Sequence, residues 1–495
     1  MKKSRFSHDV IVVGGGAAGL STASGCAQLG MKTALIEKNH TGGDCLYHGC
    51  VPSKTLLHSA AVLQHARDAQ QFGLSDALQI TDTPDITRIN RRIASVISTI
   101  EPHDSPDRFR SLGAEVFIQS AHFVDAHTLQ LDDKTELSAP RIVLATGSRP
   151  REIPIPGLAD TGYITNLDLF SLAQLPKSLV VIGGGPIGLE MSQALLRLGV
   201  AVTIVEAAEH LLPSEDADMA AVVQQRIELE GARVISGSGV QQVETVSDPS
   251  AGTQRKRVIL TDGTAVEAEE ILLAIGRIGN TEGLAIENAG VVVERGFFPV
   301  DEKLRTNQKH ILAIGDCNGK YLFTHVAGTE ASVAVRRLAL HLPAKMKYDK
   351  TPWCTYTEPE LASVGFNEKR ARQAGIHHTI AAAEFDHHDR ALAEGETAGK
   401  LKMLLDRKQR VIGVQIVGPH AGELLLTAVF AVHEGWKISR FLAPVYPYPT
   451  LSEIYKVAAG SVLAPQLFNA RIRRILRLLF GYRGRGPASK ENTDV

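Results

Sequence analysis

Short runs of unbroken apolar residues, each closed by a cluster of glycines, recur along this chain. The first, Val10 to Val13, runs straight into Gly14, Gly15 and Gly16, after which the pattern turns helical to about Leu29. A second apolar run, Thr33 to Ile36, ends at the acid Glu37. An apolar run of this length reads as a strand buried on both faces, and strand, glycine turn, helix and strand in that order predict a βαβ unit. The order returns as Leu179 to Ile182, the turn Gly183 to Gly188, a helix to about Leu198, and a strand from Val202 to Val205 ending at Glu206. In both copies the acid lies 23 positions after the first glycine, a coincidence that an ordinary glycine turn does not account for.

The glycines have separate tasks. Gly14 and Gly183 permit the tight turn, Gly16 and Gly185 let backbone approach a pyrophosphate, and Gly19 and Gly188 let the helix lie close to its strand. The helix N-terminus favours the anionic phosphates, and Glu37 and Glu206 would hold ribose hydroxyls. Two dinucleotide sites imply two different dinucleotides, because one electron carrier would have no internal partner; FAD with a nicotinamide nucleotide is the natural pair. Glu206 is followed by Ala207, Ala208 and Glu209, with no arginine to receive a 2′-phosphate, so NADH is expected over NADPH. His210 is the only nearby residue that could blur this preference.

At 495 residues the chain is long enough for about three domains. A net charge of -1 gives no reason to expect nucleic acid. No run of apolar residues is long enough to span a membrane, and the polar start followed at once by a strand lacks the pattern of a secretion signal, so a cytoplasmic protein is expected. Five cysteines are too few for a disulfide scaffold in a chain of this length, and a reducing compartment favours catalytic or metal roles for a close pair.

One such pair exists. Between Gly42 and Lys54 stand Cys45 and Cys50, spaced C-x4-C, after the first nucleotide loop. Spacing alone leaves open half a zinc site, two unrelated buried thiols or a redox disulfide; zinc is disfavoured because no second ligand cluster accompanies the pair. Glycines before it and Pro52 after Cys50 suggest a helix beginning near Cys50, whose N-terminal field would stabilise a thiolate. His377-His378 and His387-His388 are adjacent residues whose side chains diverge, so no metal centre is expected. Cys26, Cys317 and Cys354 are expected to be small buried side chains.

The Gly42–Lys54 segment resembles the redox-active motif of the class I pyridine nucleotide-disulfide oxidoreductases, the family of dihydrolipoamide dehydrogenase, glutathione reductase and mercuric reductase. The similarity runs from about residue 9 to 460, through Ala145-Thr146-Gly147 at a strand end, Ala274 to Arg277, and Ile311 to Asp316. It implies an α/β fold with two Rossmann-like dinucleotide-binding domains and a C-terminal α+β interface domain. Residues 1–149 and 277–348 would form a discontinuous FAD domain, 150–276 the NAD(P)H domain and 349–460 the dimerisation domain of a homodimer. FAD would be met by Gly14, Gly16, Gly19, Glu37, Gly43, Lys54, Ala145, Thr146, Gly147 and Asp316. The nicotinamide nucleotide would be met by Gly183, Gly185, Pro186, Ile187, Gly188, Glu190, Glu206 and Gly276. Cys50 would be the flavin-proximal thiol, Cys45 the thiol that meets a small-molecule electron acceptor, and Lys54 would pair with Glu190 near the flavin.

The pattern breaks at the C-terminal motif, where disulfide-reducing relatives carry a histidine before a proline and an acid. Here Tyr448 takes the histidine's place and Glu453 remains. Tyrosine, with an ordinary pKa of about 10, is a poor base at neutral pH. Tyrosines at this place resemble mercuric reductase, where a soft metal ion bound by thiolates is the acceptor, yet the C-terminal cysteine pair of that enzyme is missing. The expected activity is therefore mercuric reductase-like reduction of a thiol-reactive acceptor. Dihydrolipoamide dehydrogenase and a membrane-surface NADH:quinone or oxidant reductase are the alternatives, with a flavin-binding interaction protein behind them.

Two further segments carry expectations. Val246 to Arg257 reads as a hairpin loop. In the tail, 461–495, Phe468, Ile472, Ile475, Leu476, Leu479 and Phe480 share one helical face opposite Arg473, Arg474 and Arg477. That face would pack on the protein core or a dimer partner, or make peripheral contact with an anionic membrane through residues 468–480. Gly481 to Val495 has the composition of a disordered end.

Overall fold

The computed structural model describes residues 6–74, 84–248 and 253–484. The chain divides into two compact units, one of residues 1–351 with 355–357, the other of 352–354 with 358–495.

The first unit is built on two parallel sheets. One has the strand order Ile311–Ala313, Ile142–Leu144, Val10–Val13, Thr33–Glu37, Ala114–Ile118, every neighbouring pair parallel. Val10–Val13 is central and buried throughout because helices cover one face and an antiparallel sheet the other. Val10 and Val12 pack with Leu20, Ala23 and Val326, whereas Ile11 and Val13 pack with Phe123, Leu129 and Leu131. Each such side chain contributes roughly 1.5–3 kcal/mol by leaving water. The second sheet has the order Arg233–Ser236, Ala201–Glu206, Ser178–Ile182, Glu270–Leu273 and is also parallel.

The second unit carries a five-stranded sheet ordered Pro352–Thr355, Glu360–Gly365, Val411–Gly418, Lys400–Leu405, Thr379–Glu384, antiparallel through its last four strands. The helices Ala421–Glu434 and Ile454–Leu467 supply Leu425, Ala428, Tyr455 and Ala458 to its core. The chain is thus mixed α/β, with Rossmann-like parallel sheets followed by a C-terminal α+β unit.

Two expectations need correction. The loop expected over Val246 to Arg257 is mostly strand: Val240–Asp248 pairs antiparallel with Thr253–Leu260, and the residues between lie outside the described ones. Polar Gln254 to Arg257 hid this strand, although Arg257 makes cross-strand ion pairs with Glu244 at 3.2 Å and Glu267 at 2.7 Å. In the tail, the Ala470–Phe480 helix forms but buries none of its residues, so its apolar face does not pack on the core of this chain. The disorder expected beyond Gly481 falls, from residue 485 onward, outside the described residues.

Candidate active site

The nucleotide loops show why glycine is required where it stands. Gly14 has φ +111°, and a Cβ there would lie 2.2 Å from the carbonyl oxygen of Ala145; at Gly183, with φ +114°, it would lie 2.4 Å from that of Ala274. Gly19 and Gly188 would each drive a Cβ into the carbonyl of the turn, at 1.8 and 2.0 Å. Gly16 and Gly185 differ. A Cβ at Gly185 meets nothing within 4 Å, and one at Gly16 has its nearest neighbour at 3.9 Å. The backbone there faces open space, and neither helix, Ala17–Gln28 nor Pro186–Arg197, has a side-chain cap. Uncapped first-turn amides beside open space are the donor set that a pyrophosphate needs, so both loops fit a dinucleotide.

Both acids at the strand ends are oriented by these loops. Glu37 accepts from the Gly15 amide at 2.6 Å and the Asn39 amide at 2.8 Å. Glu206 accepts from the Gly184 and Ala208 amides, both at 2.7 Å. Amide donors on each carboxylate fix its orientation at the mouth of its loop.

The cysteine segment is tied to the first loop. The Gly42 amide donates to the Gly15 carbonyl at 2.8 Å, and a Cβ at Gly43 would come within 2.7 Å of the Gly16 Cα. Cys45 then lies in the short helix Gly43–Tyr47, and Cys50 opens the helix Cys50–Arg67, preceded by Gly49 without a side-chain cap. Hydrogen bonding between the two thiols is the largest influence on both groups. It lowers Cys50 to about 6, opposed by desolvation and helped by Thr324 and the Lys54 charge. The same bond, with desolvation, pushes the Cys45 thiol upward. Cys50 Sγ lies 3.5 Å from Thr324 Oγ1. A cavity of about 350 Å³ beside Cys45 is lined by Ala17, Leu20, Gly42, Val51 and Thr324.

One helical turn past Cys50, Lys54 Nζ donates to Glu190 Oε2 at 2.8 Å. Glu190 is almost fully buried, and its other oxygen accepts from the Tyr356 amide at 3.0 Å. Lys54 also stands 4.5 Å from the centre of the Tyr356 ring. This joins the cysteine helix to the Pro186–Arg197 helix of the second nucleotide loop. Pro186 and Ile187 occupy the first turn of that helix, with Pro186 at its N-terminal position, where its missing N–H costs nothing.

A second bridge had not been expected. Half-buried Arg277 donates to Asp44 Oδ2 at 2.9 Å and to Ser148 Oγ at 2.7 Å, and Ser148 donates to Asp316 Oδ2 at 2.6 Å. Burial raises the Asp316 carboxyl, with Ser148 and Arg277 acting in the opposite direction. The network ties the residue before Cys45 to Asp316 across the strand end of Ala145, Thr146 and Gly147. There Thr146 Oγ1 donates to the Asn280 carbonyl at 2.6 Å. Gly276, at φ +107°, makes the turn before Arg277. Arg277 ends a motif visible in the sequence, but nothing local signals its partners; Thr324 and Tyr356 carry no signal at all.

Tyr448 and Glu453 belong to the second unit. Tyr448 is exposed and its hydroxyl donates to Asp389 Oδ2 at 2.7 Å; that bond and the Asp389 charge raise its pKa. Glu453 ends the 3-10 turn Leu451–Glu453. Of the other cysteines, Cys26 and Cys317 are fully buried, burial pushing each to about 12, and Cys354 packs partly buried against the core of the second unit.

Two Rossmann-type loops and an asymmetric dithiol between them define a dinucleotide-dependent oxidoreductase that works through sulfur. Residues 8–331 match the pyridine nucleotide-disulphide oxidoreductase family model, and 351–459 match the dimerisation domain of that family. The chain belongs to the class I pyridine nucleotide-disulfide oxidoreductases and is a flavin-dependent oxidoreductase. It is 33% identical over 469 residues to the dihydrolipoyl dehydrogenase of Bacillus subtilis, covering 91% of this chain and 97% of that protein. It is 32% identical to that of Chlamydia pneumoniae, covering 92% and 96%. Among solved structures, the Cu(II) complex of the HOCl-induced flavoprotein disulfide reductase RclA from Escherichia coli is similar with a TM-score of 0.80 and 26% identity, covering 92% of this chain and 99% of RclA. LpdA from Mycobacterium tuberculosis is similar with a TM-score of 0.82 and 27% identity, covering 92% and 99%. The family binds FAD and uses NAD(P), and the dimerisation domain supports a homodimer. Among the described residues, no helix is long and apolar enough to cross a membrane.

Proposed function

We propose that this protein is a cytoplasmic homodimer that uses NADH, in preference to NADPH, to reduce a small thiol-reactive acceptor, a soft metal ion above all, through Cys45 and Cys50. Residues 1–149 and 277–348 hold FAD, 150–276 the nicotinamide nucleotide, and 349–460 the subunit contact. FAD, when bound, supplies the two-electron relay between nicotinamide and sulfur.

The observation that carries the reading is the pairing of an asymmetric dithiol with a tyrosine where disulfide-reducing relatives place a base. Cys50 is held as the thiolate and Cys45 retains the one proton. Both sulfurs become ligands when a soft cation displaces that proton. The pair then gives up two electrons and forms one S–S bond, and the acceptor gains two electrons, as one Hg(II) or two Cu(II) ions. No thiolate departs from such an acceptor, so no base is needed to restore its proton. Tyr448, kept protonated by Asp389, can donate a hydrogen bond but cannot take up that duty. The Cu(II) complex of RclA supports this class of acceptor, whereas the curated relatives favour dihydrolipoamide. Glu206, with no arginine after it, repels a 2′-phosphate and supports NADH.

Turnover of the FAD-loaded enzyme with mercuric ion, Cu(II), lipoamide, glutathione disulfide and a quinone separates these readings. Metal-dependent NADH oxidation that is lost in Cys45→Ser is expected, with slow lipoamide turnover that rises about tenfold or more in Tyr448→His. Lipoamide as the fastest acceptor of the wild type would make the protein a dihydrolipoamide dehydrogenase, and quinone reduction surviving Cys45→Ser would make the dithiol secondary.

A further inference from the structure

The C-terminal helix has no task in the chemistry above. Its parent helix, Ile454–Leu467, is anchored in the second unit by buried Ile454, Tyr455, Ala458 and Ala459. The chain then bends at Phe468 and begins again as Ala470–Phe480, with Asn469 accepting from the Ile472 amide at its start and Gly481 in the left-handed conformation at its end. Capping at both ends makes it a defined helix without tertiary packing, and none of its residues is buried.

What it exposes is sorted by chemistry except at Leu478, which is 81% exposed on the arginine side. Ile472, Ile475, Leu476, Leu479 and Phe480 fall on one face of it, and Phe468, at the bend before the helix, Leu479 and Phe480 are 69%, 68% and 62% exposed. Arg473, Arg474 and Arg477 lie on the other side, with Arg471 at the margin. Between residues 461 and 484 there are five arginines and no acid. Phe468 stands at one end, and Phe480 with Tyr482 stacked on it at 5.7 Å at the other. We infer that this helix lies flat on an anionic lipid bilayer, its apolar face in the acyl boundary and its arginines among the headgroup phosphates.

Charge selects this occupant. A second copy would answer the apolar face but leave the arginine row facing away from it, with no acid in the segment to pair it. An anionic bilayer answers both faces together, apolar with acyl chain and guanidinium with phosphate. The helix has 11 residues, about half the length needed to cross a bilayer, so it rests on the surface. Aromatic side chains at its two ends suit the interfacial level. The inference does not depend on which acceptor the dithiol reduces.

Cosedimentation of the full-length, FAD-loaded protein with phosphatidylcholine vesicles, and with vesicles in which half the lipid is phosphatidylglycerol, tests it. Binding is expected to the mixed vesicles at low salt, little to phosphatidylcholine alone, and release as salt rises. Leu479→Glu with Phe480→Glu should weaken partitioning about tenfold or more by spoiling the apolar face, and Arg473→Glu with Arg474→Glu should do so by reversing charge. Both variants should keep NADH oxidation in solution, which reports an intact fold. Absence of binding to the anionic vesicles, or binding unchanged in both variants, would overturn the inference. A loss of oligomeric mass in the Leu479→Glu and Phe480→Glu variant, in a protein that ignores lipid, would overturn it too and assign the face to a second copy.

Discussion

Cys45 and Cys50 are the same side chain pushed in opposite directions, the Cys45 thiol upward and the Cys50 thiol downward. Cys50 opens a helix, is hydrogen-bonded to Cys45 and stands near Lys54, so it is brought to about 6. Its thiolate is therefore present above that value and lost as pH falls through it. In the reduced enzyme, alkylation of Cys50 followed by peptide mass spectrometry should lose rate with a midpoint near 6. Lys54→Met or Thr324→Val should raise the midpoint and slow the reaction at pH 6 roughly threefold. A midpoint at the ordinary thiol value of about 8.5 would contradict the assignment of the thiolate. The cysteine pair was legible in the sequence because five positions separate its members. The Arg277 bridge to Asp44 was not, because 233 positions separate its ends and nothing near either names the other.

The glycine loops were legible for a similar reason. Strand, turn and helix are contiguous, and the apolar run that marks the buried strand touches the glycines that close it. Their geometry distinguishes glycines needed for the fold from one needed for the ligand. Gly188→Ala forces a Cβ to 2.0 Å from a carbonyl oxygen and should cost roughly 1–3 kcal/mol of stability, seen as a lower Tm. Gly185 has an extended backbone and open space before it, so Gly185→Val should keep the Tm and the FAD content while raising the KM for NADH about tenfold or more. An unchanged KM in that variant would remove the second loop as the nicotinamide site. The hairpin around Val246 to Arg257 was legible but the reach of its strands was not, because they carry polar residues toward solvent and their pairing partner, not their own pattern, makes them strands.

Over the whole molecule, the two parallel sheets and the antiparallel sheet of the second unit follow the order of apolar runs in the chain. The path of electrons proposed above rests on what lies between the two nucleotide loops. Lys54 with Glu190, and Arg277 with Asp44, Ser148 and Asp316, hold the dithiol segment against both loops through side chains far apart in sequence. Tyr448 shows where sequence and family likeness diverge: the relatives by overall identity are dihydrolipoyl dehydrogenases, yet a phenol hydrogen-bonded to Asp389 stands where the resemblance places a histidine. The central claim is that reducing equivalents from NADH reach an acceptor by way of the sulfurs of Cys45 and Cys50. The most direct check is to treat the oxidised, FAD-loaded enzyme anaerobically with NADH and count alkylated thiols by peptide. The account expects Cys45 and Cys50 to become alkylated together, and to be protected again when mercuric ion or Cu(II) is added first; a thiol count unchanged by NADH would contradict it.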